Sequence, residues 1–381
     1  MVVDVDNQTV FETKDLSFMS IKYGIITHYD VLNHGAMLQL NAMIKVLNAH
    51  HIDAQALQFE KNYDFMDRKL KSKYKVGIGS IFIYLKFLKE RGLRNFLFLY
   101  KKTKLQNRFK TEQNLIGPFY SECGDLDGVV IGSDEVFALH TGPTPVFFGH
   151  ALPSKKVFAY AGCFGPTTYE DVEKKNCRAF VESGLKSMSG LAMRDQNSIE
   201  IAESLTGIKP ELVCDPVILY GYEKEIAVGV RPLKEKYMVI YAYDQRMNET
   251  KEVEAIRVFA KKRNLKIVSP GFYHGWVDKN VNPSYDNILS WFKYAEYVVT
   301  DTFHGAVMSL ITNREMAVKV RDNGNKLVNL LNEYGLADRL IDESWSLDNI
   351  FAKPIDWIYT NKQIEERRQK SLDYLKRMIE K

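Results

Sequence analysis

Residues 297–311 read YVVTDTFHGAVMSLI. A short apolar run rich in β-branched residues stops at Asp301-Thr302, and apolar residues resume at helical spacing from Phe303. This is the pattern of a strand handing over to a helix, with a histidine and a glycine at the junction. A helix start presents unpaired N–H groups and the positive end of its dipole. His304 and Gly305 therefore either shape the turn or help to receive an anion there.

The same pattern recurs along the chain. KYGIITHYD (22–30) reads as a strand followed by a helix over NHGAMLQLNAMIKVLNAH (33–50). IDAQALQF (52–59), DGVVIGSDEVF (127–137), KVFAYAGCFG (156–165), GLAMRDQNS (190–198) and ELVCDPVIL (211–219) are short apolar runs entering polar or glycine turns. A second series follows in YMVIYAYD (237–244), LKIVSPGF (265–272), YVVTDTFHG (297–305) and MAVKVRDN (316–323), with helices expected over 248–263 and 285–296. Wholly apolar strands alternating with helices imply parallel sheets covered on both faces. The expected fold is α/β, with two Rossmann-like domains and a cleft between them. The charged, Gly- and Pro-containing stretch at 217–235 marks the boundary. The expected organisation is an N-terminal domain over 19–220, a C-terminal domain over 235–350 and a helical tail over 351–381 whose last helix spans 362–380. Residues 1–18 are expected to form a loosely attached extension.

Totals narrow the class. The chain has 381 residues, 45% hydrophobic and 26% charged, which suits two soluble domains. Cys123, Cys163, Cys177 and Cys214 are scattered without a C-x-x-C pair, which speaks against a zinc ribbon or disulfide scaffold and for a reducing compartment. The N-terminus lacks a basic region followed by an apolar stretch, and no run reaches the roughly 20 apolar residues of a spanning helix. The expected location is cytoplasmic, at the inner face of the membrane.

That last detail comes from charge. Residues 68–110 hold 14 Lys/Arg against the single acid Glu90, while the whole chain is only +4, so the remainder is net acidic. SIFIYLKFLKERGLRNFLFLYKK (80–102) interleaves bulky apolar residues with Lys/Arg, the profile of a helix lying on an anionic membrane surface. An ordinary amphipathic helix with a solvated basic face gives the same pattern. Nucleic acid is a poorer partner and is not expected, because no recognised binding motif accompanies the charge.

In a parallel α/β sheet, ligands bind beyond the carboxyl ends of the strands. The strand exits supply Asn33 and Gly35, then Ser133 and Asp134, then Arg194, and then Asp301, Thr302, Phe303, His304 and Gly305. Taken singly, Asn33, Asp134 and Asp301 are ordinary caps or turn formers, the glycines permit close packing, and His304 is a satisfied buried histidine. Taken together, they are expected to meet on one side of one layer. Dinucleotide, P-loop, zinc-protease and nucleophile-elbow signatures are all missing.

These residues resemble the polysaccharide pyruvyltransferase family. IITHYDVLNHGAMLQ is similar to its opening strand and Asn-x-Gly-Ala helix start, and GSDEVF to its Gly-Ser-Asp-x-Val-Trp/Phe turn. FAYAGCFG resembles its Tyr-Ala-x-Ser-Phe-Gly strand with Cys163 in place of serine. MRDQNS followed by VCDPVIL, and then VVTDTFHG, complete the set between about 21 and 340. The resemblance implies a GT-B-like architecture and transfer of pyruvate from phosphoenolpyruvate onto two hydroxyls of a sugar, giving a ketal and phosphate. It implies a role in making a bacterial surface polysaccharide such as capsule or exopolysaccharide, and no metal or nucleotide cofactor. The acceptor is expected to be a sugar, in a surface polysaccharide or on a polyprenyl-diphosphate-linked precursor.

Read through the resemblance, Asn33, Gly35, Ser133, Arg194, Thr302, Phe303, His304, Gly305 and Lys326 are expected around the donor. Arg194 holds its carboxylate or phosphate, His304 acts as acid or hydrogen-bond donor, and Asp134 acts as base. Tyr273, His274 and Trp276 of SPGFYHGWVDKN are expected as an aromatic acceptor platform, with a surface loop carrying a packed tryptophan as the equal alternative. One departure stands out: where the best-known members read Ser-Arg-x-His-Gly, this chain has Asp301-Thr302-Phe303-His304-Gly305. The missing arginine removes a bidentate cation, for which Arg194, Arg321 or Lys326 is expected to substitute. Two rival readings follow from the same layout, a GT-B glycosyltransferase using a nucleotide sugar and a non-catalytic glycan-binding member.

Overall fold

The computed structural model of the chain describes residues 22–60, 80–141, 143–321 and 324–380. The proposed extension at 1–18 and the start of the basic segment lie outside them. Each half of the chain builds a five-stranded, all-parallel sheet. In the first, β1 (Tyr23–Ile26), β2 (Ala54–Gln58), β3 (Ile116–Phe119), β4 (Gly128–Ile131) and β5 (Val157–Ala159) take the order β3-β2-β1-β4-β5. A two-stranded parallel sheet of β6 (Ala192–Met193) and β7 (Glu211–Leu212) adjoins its β5 edge through bridges at Phe158–Gly190 and Gly162–Met193.

The second sheet repeats this order as β10-β9-β8-β11-β12, from β8 (Tyr237–Tyr241), β9 (Lys266–Pro270), β10 (Lys279–Val281), β11 (Tyr297–Thr300) and β12 (Met316–Val318). All residues of β1 and β8 are buried, as their apolar runs predict for parallel strands covered on both faces. The expected α/β, GT-B-like pair of Rossmann-like sheets is what the chain forms. Two strands escaped the sequence reading. Both β3, with Gly117 and Pro118, and β10, which reads KNV, are edge strands, where Pro and polar residues are tolerated and the apolar signal fades.

Seven helices matter below: α1 (His34–Ala49), α2 (Ser80–Glu112), α3 (Pro216–Tyr220), α4 (Thr250–Lys262), α5 (Phe303–Ile311), α6 (Asn325–Glu333) and α7 (Trp357–Glu380). The outer face of each sheet has a core of its own. The inner layer is shared, and Met37 and Leu38 of α1, Ile218 of α3, Tyr241, Phe303 and Tyr374 belong to one continuous apolar cluster.

Two helices tie the halves together. Helix α2 breaks at Gly92, where φ is 77°. Beyond the break it buries Asn95, Phe98, Lys102, Gln106 and Phe109 at helical spacing. Gln106 donates to the Val31 carbonyl in the first half and accepts from the Tyr285 hydroxyl in the second. Asn282 donates to the Phe98 carbonyl, and Phe109 stacks on Tyr285. The inner face of the basic helix is thus an inter-sheet strap, while Leu93, Leu97 and Tyr100 stay exposed on its outer face. Helix α7 returns from the second half to the first. Thr360 donates to the Tyr334 carbonyl, and Tyr374 donates to the Ala159 carbonyl at 2.9 Å.

Candidate active site

In a 3-2-1-4-5 sheet the strand order reverses between the first and fourth strands, which opens a crevice at their carboxyl ends. Here there are two such points, β1/β4 and β8/β11, and all four exits line one cavity of about 740 Å3. Asn33 follows β1, Asp134 and Glu135 follow β4, Tyr243 and Arg246 follow β8, and Asp301 to His304 follow β11. Lys326 and Arg321 complete the second-half wall.

Local chemistry fixes each exit. Thr302 caps α5, its hydroxyl accepting from the Gly305 N–H at 3.0 Å. Asn33 caps α1, its side-chain oxygen accepting from the Gly35 N–H at 2.8 Å, and its amide donates across the cleft to the Tyr243 hydroxyl. The capping roles are real, and both residues also line the cleft. Gly305 is a packing requirement, since a Cβ there would lie 2.1 Å from the Thr300 hydroxyl oxygen. Gly35 is one too, because a Cβ on it would lie 2.1 Å from Cγ of His304. The helix starts of the two halves therefore meet, Gly35 against the imidazole.

His304 has its side chain 7% exposed, and its Nε2 has no hydrogen-bond partner and lies 4.0 Å from Oδ2 of Asp215. Burial, reinforced by Arg194 and Lys326, lowers its pKa against the pull of Asp215 and Asp134, so the ring is neutral at pH 7. Asp134 sits in the left-handed region at φ 75° and its carbonyl accepts from Cys163 N–H. Burial alone would raise its pKa, but Arg194, Lys326, His304 and His28 together hold it well below the usual carboxylate range. Asp301 moves the opposite way. Burial, aided by Glu252, pushes it up to about 6 despite Arg246 and Arg321.

Three expected roles need correction. Arg194 is not available to a donor. Its side chain is 1% exposed, donates to Asp134 at 2.7 Å, Asp215 at 3.2 Å and Cys163 Sγ at 3.2 Å, and stacks 4.3 Å over the Phe303 ring. It positions two carboxylates. Asp134, ionised and gripped by that arginine, is a weak base. The aromatic platform does not form at the cleft. His274 is buried, with Nε2 3.0 Å from the Ala242 carbonyl, Tyr273 packs edge-on against Phe98, and Trp276 lines a separate cavity with Lys236 and Lys266 at the amino end of the second sheet. Ser133 lies behind the cleft, its carbonyl accepting from Thr27.

The structure also brings in residues that the sequence reading passed over. Asp215, fixed by Gln39, Arg194 and the Val217 N–H, was visible as the Asp-Pro at a strand end. Tyr243 and Arg246 follow β8 and would have been found by applying the exit rule to that strand. Glu135 pairs with Lys326 across the cleft at 2.6 Å, a contact over 191 positions that no local pattern signals. Among the described residues, no group of three or more His, Cys, Asp or Glu is placed to hold a metal ion, and no helix is long and apolar enough to cross a membrane.

Several solved structures are similar to the chain. The UDP-GlcNAc 2-epimerase of Neisseria meningitidis bound to UDP-GlcNAc is 11% identical with a TM-score of 0.48, covering 94% of this chain and 99% of its own. The MnaA–UDP co-structure of S. aureus is 12% identical with a TM-score of 0.43, covering 93% and 91%. The glycosyltransferase SnogD of Streptomyces nogalater is 11% identical with a TM-score of 0.44, covering 93% and 95%. With TM-scores below 0.5, these leave the fold resting on the sheets themselves. No curated protein matches the chain. The sequence does match the family described as polysaccharide pyruvyl transferase over residues 33–323, well over half its length, and that span holds all of the cleft lining except Gly324, Lys326 and Leu327. The chain belongs to the polysaccharide pyruvyl transferase family.

Proposed function

We propose that the protein transfers pyruvate from phosphoenolpyruvate to two hydroxyls of a sugar in a surface polysaccharide or a polyprenyl-diphosphate-linked precursor, forming a ketal and releasing phosphate. One observation carries this reading: a neutral, unpartnered His304 Nε2 at the start of α5, in a cleft also lined by Arg246, Arg321 and Lys326. A donor with both a carboxylate and a phosphate needs cations and N–H donors, and a sugar hydroxyl needs a nearby base.

The chemistry divides as follows. Lys326 and the α5 start hold the phosphate. Asp301, with its pKa near 6, protonates the methylene carbon, leaving an oxocarbenium-like centre at C2. A sugar hydroxyl adds to that centre and gives its proton to His304 Nε2. The resulting imidazolium is stabilised by Asp215 and Asp134, which favour its charged form. The second hydroxyl then closes the ring at C2, the C–O bond to phosphate breaks, and the second proton leaves with the phosphate.

We also place the chain at an anionic membrane face. Arg94, Lys101 and Lys104 flank the exposed Leu93, Leu97 and Tyr100 on α2, an outward face that suits a lipid-linked acceptor. Flotation with phosphatidylglycerol vesicles tests it, and a protein that stays at the bottom of the gradient sinks it.

The experiment for the chemistry is a thermal-shift series with phosphoenolpyruvate beside UDP- and GDP-sugars, since a ligand of the native state raises the midpoint by mass action. Stabilisation by phosphoenolpyruvate that is weakened in His304→Ala supports the reading. Stabilisation by a nucleotide sugar alone replaces it with glycosyl transfer.

A further inference from the structure

Thr302 stands where an arginine would serve the donor, yet two arginines from elsewhere converge on its neighbour. Arg321, after β12, donates from Nε to Asp301 Oδ2 at 3.2 Å, and its Nη2 lies 2.8 Å from Glu252 of α4. That second contact is a buried ion pair, which anchors the Arg321 guanidinium between Glu252 and Asp301. Arg246, after β8, lies 4.0 Å from the same Asp301 oxygen, too far for a hydrogen bond, and stacks 5.1 Å over the Tyr243 ring.

Burial sorts these four groups by role. The side chains of Asp301 and Glu252 are 0% and 2% exposed, whereas that of Arg246 is 44% exposed and both arginines line the cleft. The carboxylates act as internal counter-charges that hold the guanidinium groups in place, and the Arg246 guanidinium, 4.0 Å from Asp301, is left open toward the cleft. Asp301 Oδ1 also lacks a partner. This is preorganisation for a planar anion, because a guanidinium presents paired N–H groups that match a carboxylate.

We propose that Arg246 and Arg321 form the seat for the carboxylate of the donor, separate from the phosphate seat at Lys326 and the start of α5. The inference rests on the pyruvyl-transfer reading and narrows it. It explains how the chain manages with Thr302: the cation has moved from the helix cap to the neighbouring strand exits, where it is held from behind by Glu252. A carboxylate on the arginines also draws their charge away from Asp301, which favours the protonated form that the transfer step uses.

The test is calorimetric titration of the full chain with three probes: phosphoenolpyruvate, inorganic phosphate and pyruvate. Arg246→Ala should weaken phosphoenolpyruvate by roughly tenfold or more, the loss of a charge-assisted contact, while phosphate binding stays within about twofold. Arg246→Lys should recover only part of the loss, since lysine keeps the charge without the fork. Because Arg246 is largely exposed, both variants are expected to fold, and an unchanged melting midpoint checks this. Unchanged phosphoenolpyruvate affinity in Arg246→Ala, or an equal loss for phosphate, overturns the seat while leaving pyruvyl transfer standing. If the unaltered protein takes phosphate but not phosphoenolpyruvate, the donor assignment fails instead. The seat then depends on pyruvate: binding that disappears in Arg246→Ala keeps it, and no binding of pyruvate ends it.

Discussion

His304 shows how much of a site can hang on the space beside one ring. Its imidazole is wedged against Gly35 from the other half of the chain, and its position 4.0 Å from Asp215 depends on that contact. A methyl group at residue 35 would meet Cγ, Cβ and Nδ1 of the ring at 2.1–2.4 Å, and the ring is too enclosed to step aside freely. Gly35→Ala should therefore cost about 1–3 kcal/mol, the usual range for overpacking, and lower the melting midpoint by several degrees. It should also abolish stabilisation by phosphoenolpyruvate, since the unpartnered Nε2 is displaced. A variant with unchanged midpoint and binding would mean that the ring is not held there. Arg194 teaches the complementary lesson. An arginine after a buried strand reads as a ligand-binding cation, but it is buried and its two terminal nitrogens are bonded to Asp134, Asp215 and Cys163.

At the scale of the element, α2 carries two messages on two faces. Its outer face keeps the exposed apolar and basic residues that suggest a membrane surface, while its inner face straps the two halves together. Lys102 lies on the inner face, 2% exposed, with its ammonium 4.3 Å over the Phe272 ring and no carboxylate at ion-pair distance among the described residues. Burial lowers its pKa to about 8 against the pull of Asp244. Between about pH 8 and the unfolded value near 10.5, the unfolded chain holds a proton that the folded chain has released, so stability rises with pH across that window. Below pH 8 the burial penalty is present in full, about 3 kcal/mol, offset by about 1 kcal/mol from the ring contact. Lys102→Met is accordingly expected to be more stable at pH 7 by about 1–2 kcal/mol and to lose this alkaline gain. Urea denaturation at pH 7 and 9.5 decides it, and a less stable variant at pH 7 would show that the ammonium has a partner worth more than its burial.

The molecule is built on two five-stranded sheets but is not two independent bodies. The inner apolar layer runs from Met37 and Ile218 to Phe303 and Tyr374, and α2 and α7 each bond to both halves. Separating the halves would expose that layer, at about 25 cal/mol per Å2 of apolar surface. We expect unfolding as one cooperative transition, and a fragment ending near residue 220 to lack fixed packing. A fragment with native-like near-ultraviolet dichroism and its own sharp melt would contradict this. The shared layer also holds the two switch points in register, so that Lys326 of one half reaches Glu135 of the other.

The sequence by itself determined the parallel sheets, the order of the exits and the capped helix starts. Each of these is local: a doubly covered strand must be apolar throughout, a cap must be Thr or Asn beside its helix, and Gly305 must clear Thr300. It missed β3 and β10 because edge strands are released from that apolar demand. Only the tertiary structure decided which polar groups are spent and which are free. Arg194 is spent on Asp134 across 60 positions, whereas Arg246 is left open beside Asp301. His274 and Trp276 are turned away from the cleft by bonds to Ala242 and Asn248. Desolvation and pairing depend on what packs around a group after folding, and a linear pattern of residues does not encode that distance or that burial.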